Sequence, residues 1–437
     1  MNENNTKKLS LEPYKGTRDF YPQDQFAQNY IFSVWKKVAE SYGYLEYNAS
    51  ILEETELYKA KSGEEIVSEQ TYSFVDRGGR EVTIRPEMTP TVARMVAQKR
   101  KELAFPLRWF SIPNLFRYER PQRGRLREHW QLNVDIFGVD SVAADIEVVS
   151  VANGIMKAFG AQETQYEIRV NSRKFLNFLF NDFLQLTAEQ SHKLAKLVDR
   201  MHKISGDEFL AQLQEIVNDS TKASVVIAVS RARTLGELPE SIRAHESIIE
   251  LENFIQSLRA AGISNARFEM SVVRGFDYYT GIVFEVFDTN PANPRSVFGG
   301  GRYDDLVGIF GVEKVPGIGF GAGDVTIRDF LETYSLLPEY TPTVDLYIAP
   351  FEEIYINDAN KLAQSLREQG LRVAVDLTSR KVASKVKTAD KEKIPWVVVV
   401  GEEEIKSDFY KLKNFAESKE YSVASKDISA LVKREIK

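Results

Sequence analysis

Cysteine is absent from the 437 residues, which removes disulfides, thiolate zinc sites, iron–sulfur clusters and a cysteine nucleophile, and fits a reducing compartment. Histidine is scarce. The four present, His129, His192, His202 and His245, stand at spacings that match no metal motif, so they read as structural or exposed and no metal ligands are expected among the side chains. The longest apolar runs, such as Trp396–Val400, fall far short of the roughly 20 residues of a spanning helix, and no membrane partner is expected. The first ten residues are polar without an apolar core, which reads as a flexible tail over 1–10 and points to a cytoplasmic protein. Internal repeats, low-complexity tracts, a P-loop lysine, a dinucleotide-binding glycine pattern and a serine nucleophile elbow are all missing, so acyl-enzyme hydrolysis has no support. With 57 basic against 63 acidic residues the net charge is −6, and any nucleic-acid contact must be regional.

What is present is enough for two to four domains, with 43% apolar and 27% charged residues. Ile31, Val34, Trp35, Val38 and Tyr42 recur at helical spacing before Gly43, and Ile146, Val149, Ala152 and Met156 do so before Gly160. Between them, over His129–Gly138, Trp130, Leu132, Val134 and Ile136 alternate with Gln131, Asn133 and Asp135. That is a strand with one packed and one polar face. Residues 172–262 are rich in Leu, Ala, Lys and Glu at helical spacing and read as a helical insertion. Pro338 and Pro342 mark a linker over 334–343. Beyond it, 344–437 alternates strand and helix, which predicts a small α/β domain with parallel pairing. This segment holds 17 basic and 16 acidic side chains, six of the cations (Arg380, Lys381, Lys385, Lys387, Lys391 and Lys393) falling between 380 and 393. Such a run is a solvated helix face or a surface for a phosphate backbone.

Chemistry concentrates in four places. From Arg108 to Arg127 the chain carries six arginines and no lysine, namely Arg108, Arg117, Arg120, Arg123, Arg125 and Arg127. Arginine throughout favours planar, bidentate recognition of phosphate or carboxylate, with Arg117 on a strand and others in the Pro121–Gly124 loop. Gln131, Asn133 and Asp135 share one strand face, suited to an ammonium or an imidazole N–H, with an exposed sheet face as the alternative. In Arg85-Pro86-Glu87-Met88-Thr89-Pro90 two prolines fix an acid that is either an amine receptor or a first-turn helix acid. Finally, Arg274-Gly275-Phe276-Asp277-Tyr278-Tyr279-Thr280-Gly281 joins a cation to two phenols, and glycines crowd Phe298–Asp304 and Gly317–Asp324, where they leave room for a ligand near backbone.

Taken in order, these motifs resemble those of the histidyl-tRNA synthetases, a family of class II aminoacyl-tRNA synthetases. The resemblance runs from Tyr14-Lys15-Gly16-Thr17-Arg18-Asp19-Phe20 nearly to the C-terminus. Phe116-Arg117-Tyr118-Glu119-Arg120 is similar to the second class II motif, while the Arg274–Gly281 stretch and Gly300-Gly301-Arg302-Tyr303-Asp304 resemble the two stretches peculiar to the histidine enzymes. It implies an α/β chain: a class II catalytic domain at 11–333, an antiparallel sheet flanked by helices, and an anticodon-binding domain at 344–437. It also implies that L-histidine and ATP give histidyl-adenylate and pyrophosphate, and that histidine then passes to tRNA(His), with Mg²⁺ bridging phosphates. By the same resemblance Glu87, Met88, Thr89, Gln131, Asp135, Arg274, Tyr278 and Tyr279 bind histidine. Arg117, Glu119, Arg125 and Gln131 bind ATP, and Arg117 and Arg274 stabilise charge during the attack. Arg380, Lys381, Lys385 and Lys387 are candidates for tRNA contact. Two departures stand out: the third motif reads Gly323-Asp324-Val325-Thr326, with threonine where the family carries an adenine-stacking arginine and Arg328 two residues late, and Ser50 replaces the first motif's proline. A two-fold homodimer is the family's default. The competing expectation is a non-catalytic, synthetase-like histidine sensor, the regulatory subunit of an ATP phosphoribosyltransferase.

Overall fold

The computed structural model describes residues 9–59, 70–273 and 278–435, in two compact units, Met1–Pro338 and Glu339–Lys437. In the first, the helix Pro22–Ser41 starts on a proline, carries Asp24 in its first turn, buries Ile31, Trp35, Val38 and Ala39, and gives way to Gly43 at φ +80°. Tyr42, placed on the packed stripe by its spacing, is exposed instead because it falls at the cap, where the helical period no longer holds. The helix Val142–Ala158 is buried over most of its circumference, from Ala144 to Met156, as expected where it lies against a sheet on one side and other helices elsewhere.

The strands run β1 (Leu45–Glu46), β2 (Leu52–Glu54), β3 (Tyr72–Val75), β4 (Glu81–Ile84), β5 (Leu107–Ser111), β6 (Asn114–Phe116), β7 (Glu128–Phe137), β8 (Tyr166–Ser172), β9 (Ala266–Phe268), β10 (Ile282–Asp288), β11 (Ser296–Arg302) and β12 (Gly317–Gly323). Nine of them form the main sheet in the order β1-β5-β7-β12-β11-β10-β8-β9, with β6 beside β7; β2-β4-β3 form a small second sheet. The main sheet is antiparallel except at β1–β5 and β8–β9. Between β8 and β9 come helices from Arg173 to Ala260. Phe175, Leu194, Leu213, Val226, Leu251 and Phe254 from this stretch belong to the same continuous core as Trp35, Phe110, Val134 and Val148. Truncating a fully buried ring in that core, Trp35 or Phe110, costs about 3–5 kcal/mol.

In the second unit β13 (Leu346–Pro350), β14 (Val373–Val375) and β15 (Trp396–Val400) pair in parallel, joined by the helices Ile356–Glu368 and Val382–Lys391. An antiparallel hairpin, β16 (Phe409–Asn414) and β17 (Lys419–Ala424), extends the sheet past β15. Parallel pairing alone is therefore too simple. Tyr410, Leu412 and Asn414 turn inward while Phe409 and Lys411 stay exposed, an alternation that suits an antiparallel strand packed on one face.

Candidate active site

Sheet pairing creates the site. β12 lies directly beside β7 with Gly319 opposite Asp135, Gly321 opposite Asn133 and Gly323 opposite Gln131. The glycines are there for space: a Cβ on Gly321 would overlap the Gln131 amide, and one on Gly319 would overlap Asp135 Oδ1 and the Val134 carbonyl. The expectation of a polar strand face open to solvent gives way here, since Asn133 and Asp135 are each 3% exposed. Gln131 Nε2 donates to Asn133 Oδ1 at 2.7 Å, and Asn133 Nδ2 donates to the Gln131 carbonyl at 3.1 Å. Asp135 Oδ1 accepts the Tyr303 hydroxyl, while its Oδ2 is buried with no hydrogen-bond partner. Burial pushes the Asp135 carboxyl up to about 7, and the Tyr303 hydroxyl pulls it part of the way back.

Opposite this face stands the acid fixed by its prolines. Glu87 is 2% exposed and accepts the Tyr278 hydroxyl at 3.1 Å. Its place is the turn before the helix Thr89–Lys99, whose N-cap is Met88, wholly buried, and whose first residue is the half-buried Thr89. Tyr278 packs against Tyr279, ring centroids 4.8 Å apart, and against Tyr303 at 5.8 Å. An acid, three phenols and a carboxylate thus share one enclosure. Arg274, Gly275, Phe276 and Asp277 lie outside the described residues.

The six arginines part company. Arg117, one residue past β6, donates from Nε to the Pro86 carbonyl at 2.9 Å, which sets it next to Glu87. Arg125 pairs with Glu119 at 2.7 Å. Arg108 is taken by Glu147 on the helix behind the sheet, and Arg127 lies 4.0 Å from the Tyr118 ring centroid with its Nη1 on the Tyr14 hydroxyl. These two hold the frame. His129 is driven down to about 3 by burial and then by the charges of Arg117, Arg18 and Arg125, so it is neutral and records a positive field along this edge.

At the third motif, Asp324 is fully buried and accepts from Arg18 Nη2 at 2.6 Å, Gln28 Nε2 at 3.0 Å and the Trp130 backbone N–H at 2.9 Å. It joins the first helix, β7 and the helix Asp324–Thr333. Arg328 is turned to Asp24 at 2.9 Å and Glu332 at 2.8 Å, so its late position does not restore the missing arginine. Arg85, which sequence reasoning left without a role, is 5% exposed and donates to the carbonyls of Ala49, Ser50 and Asn114. Tyr303 was also passed over as a site residue, although its place directly after a buried arginine and three glycines was the available signal. A separate cleft of about 430 Å³ is lined by Glu46, Tyr47, Asn48, Arg85, Asn114 and Trp130. Among the described residues no three His, Asp or Glu side chains converge as a metal site.

In the second unit one of the four tRNA candidates is spent inside the fold. Lys385 is fully buried and its Nζ donates to the Pro350 carbonyl at 2.9 Å, because the helix turns that position toward the sheet. It therefore presents no charge to an RNA backbone. Arg380 is paired with Asp376 and hydrogen-bonded to Thr378 and Thr388. It is exposed nonetheless, as are Lys381 and Lys387.

The profile described as histidyl-tRNA synthetase matches residues 16–324, and the anticodon binding domain profile matches 345–435. A histidine--tRNA ligase of Leptospira biflexa is 44% identical over 98% of this chain and 99% of its own length. One from Thermoplasma volcanium is 35% identical over 96% and 98%. Among solved structures, the histidyl-tRNA synthetase of a Nostoc species superposes with a TM-score of 0.82 at 22% identity over 98% of this chain and all of that one. A Bacillus halodurans protein described as an ATP phosphoribosyltransferase regulatory subunit/histidyl-tRNA synthetase gives 0.72 at 22% over 87% and 97%. Likeness at that identity speaks for the fold alone.

Proposed function

The chain belongs to the histidyl-tRNA synthetase family and is a histidine--tRNA ligase, a class II aminoacyl-tRNA synthetase that consumes ATP, and on that premise we propose how its residues divide the work. The observation that carries the assignment is the buried face of β7, where an acceptor, Asp135 Oδ2, is left over beside a phenol cluster. A buried carboxylate oxygen without a donor is costly. An imidazole N–H of histidine supplies the donor. Glu87, Thr89 and Gln131 then take the α-ammonium, with Met88 closing the floor under them, and Tyr278 and Tyr279 wall the ring.

With histidine so held, its carboxylate points toward Arg117. In the first step a carboxylate oxygen attacks the α-phosphorus of ATP, the bond to the bridging oxygen of pyrophosphate breaks, and Arg117 and Arg274 neutralise the charge that gathers on the equatorial oxygens. The chain needs no covalent nucleophile and no general base for this step, because the attacking oxygen is already ionised. Arg125, held by Glu119, attends the nucleotide's phosphates and Gln131 its α-phosphate end. Were Mg²⁺ bound here, Glu119 is the carboxylate that would help hold it, and the ion would supply positive charge against the phosphates. In the second step a hydroxyl of the terminal ribose of tRNA(His) attacks the acyl carbon, the ester forms, the acyl–phosphate bond breaks, AMP leaves and the hydroxyl's proton is released.

We assign 344–437 to the anticodon, with Arg380, Lys381 and Lys387 as exposed cations for it, and 334–343 to the linker. A homodimer is supported by the edge strand β1, whose Leu45 is 68% exposed, and a cytoplasmic location by the absence of cysteine and, among the described residues, of any helix able to cross a membrane. The sensor alternative is set aside because the ligase of Leptospira biflexa is similar over both units. The test is histidine-dependent exchange of labelled pyrophosphate into ATP without tRNA, beside Arg274→Ala. Exchange that requires histidine and collapses in the variant supports the assignment; histidine binding by a folded protein without exchange refutes it.

A further inference from the structure

We propose that Arg295, in the turn between β10 and β11, is the guanidinium that grips the nucleotide in place of the arginine missing from the third motif, lying with its plane against the purine. The proposal rests on the ATP site assigned above to Arg117, Glu119 and Arg125. The helix that begins at Asp324 offers no cation to the cleft: Thr326 spends its hydroxyl on the Val297 carbonyl at 2.5 Å and the Gly323 carbonyl at 3.2 Å, and Arg328 is held by Asp24 and Glu332.

Arg295 reaches the same spot from the neighbouring turn. A Cβ built on Gly124, the left-handed residue of the arginine loop at φ +74°, would stand 3.5 Å from Arg295 Cδ and 3.5 Å from Thr326 Cγ2. The stem of Arg295 therefore passes the loop at contact distance beside the short side chain at 326, and the left-handed φ is what favours glycine at 124. Asp329 Oδ2 is 3.7 Å from that same built atom, and the Asp329 carboxylate takes the Gly124 backbone N–H, which anchors the loop. Charge agrees with geometry. Arg125 already has Glu119, and among the described residues no carboxylate stands within ion-pair distance of Arg295, whose cation is disfavoured by burial and then by Arg125, with Glu119 pulling the other way. Two neighbouring guanidiniums, of which only Arg125 is paired with a carboxylate, suit a polyanion. A planar cation also stacks on a purine face, which a lysine does not do as well.

The measurement is pyrophosphate exchange with ATP and histidine varied separately, on the parent, Arg295→Ala, Arg295→Lys and Arg117→Ala. Arg295→Ala raises the KM for ATP about tenfold with the histidine KM within about twofold, and Arg295→Lys recovers only part of that loss. An ATP KM unchanged in Arg295→Ala overturns the proposal, as does a parallel rise for both substrates, which a merely structural role would give; full recovery by lysine overturns the stacking. Arg117→Ala separates the two levels: if it keeps full exchange the ATP site itself is misassigned, whereas its loss beside an indifferent Arg295→Ala refutes Arg295 alone.

Discussion

On β7, Gln131, Asn133 and Asp135 sit at period two, and Asn133 and Asp135 finish buried with an acceptor to spare; across 380–393, six cations crowd one stretch, and the innermost, Lys385, finishes bonded to its own fold. Both clusters are conspicuous in the sequence for the same reason, a density of one residue type. Their surroundings separate them. A buried polar group left incomplete by the protein is energetically poised for a ligand, while one completed by a carbonyl or a carboxylate stabilises the unit that contains it. What identifies a binding surface is thus the unpaid hydrogen bond or the exposed charge, and in the second unit Arg380, Lys381 and Lys387 of the four candidates retain an exposed charge.

The sharpest way to break that contrast is at Asp135. Asp135→Asn keeps the shape but replaces the acceptor that imidazole needs, so kcat/KM for histidine should fall by about two to three orders of magnitude with the ATP KM nearly unchanged; pyrophosphate exchange measures both. Next comes Lys385→Met, which leaves the Pro350 carbonyl without its donor. The second unit should lose about 1–3 kcal/mol, visible as an earlier denaturation transition, while exchange without tRNA stays at parent level. Gly321→Ala tests the opposite side of the cleft: the methyl must displace Gln131, and the histidine KM should rise roughly tenfold. Reversal of charge at Lys381 and Lys387 should raise the KM for tRNA several-fold and flatten its salt dependence without touching exchange.

Two titrations give the smallest effects and carry opposite signs. Asp135 rises from an ordinary 3.8 to about 7, so the native state keeps a proton that the unfolded chain has released. Stability present at pH 4 is lost as the pH climbs to 7, and Asp135→Asn should flatten the melting temperature across that window. At Glu269 burial works upward, but His202 and Arg267 outweigh it and hold the carboxyl near 2 against an ordinary 4.5. Its stabilisation is present above about 4.5 and lost as the pH falls toward 2, and Glu269→Gln should remove that acid slope.

Periodicity sufficed for the helix that buries Ile31 and Trp35, for β7 and for the β13 to β15 alternation, because each repeats one pattern over many residues. Outer additions such as the β16–β17 hairpin escaped notice because a short strand packed on one face has little apolar signal. Residue order and type also determined the chemistry on offer: an acid between prolines, arginines without lysines, an amide and a carboxylate on one strand face, phenols beside glycines. Only the tertiary structure decided which of them are used. β12 next to β7 turned the glycines of Gly317–Gly323 into the space that Gln131 and Asp135 occupy, and Asp324 became a buried knot for three elements rather than a nucleotide contact. Lys385 was drawn inward while Lys387, two residues on, was left in water. The physical reason is that composition and spacing are local, whereas desolvation and hydrogen-bond completion depend on neighbours brought in from hundreds of residues away.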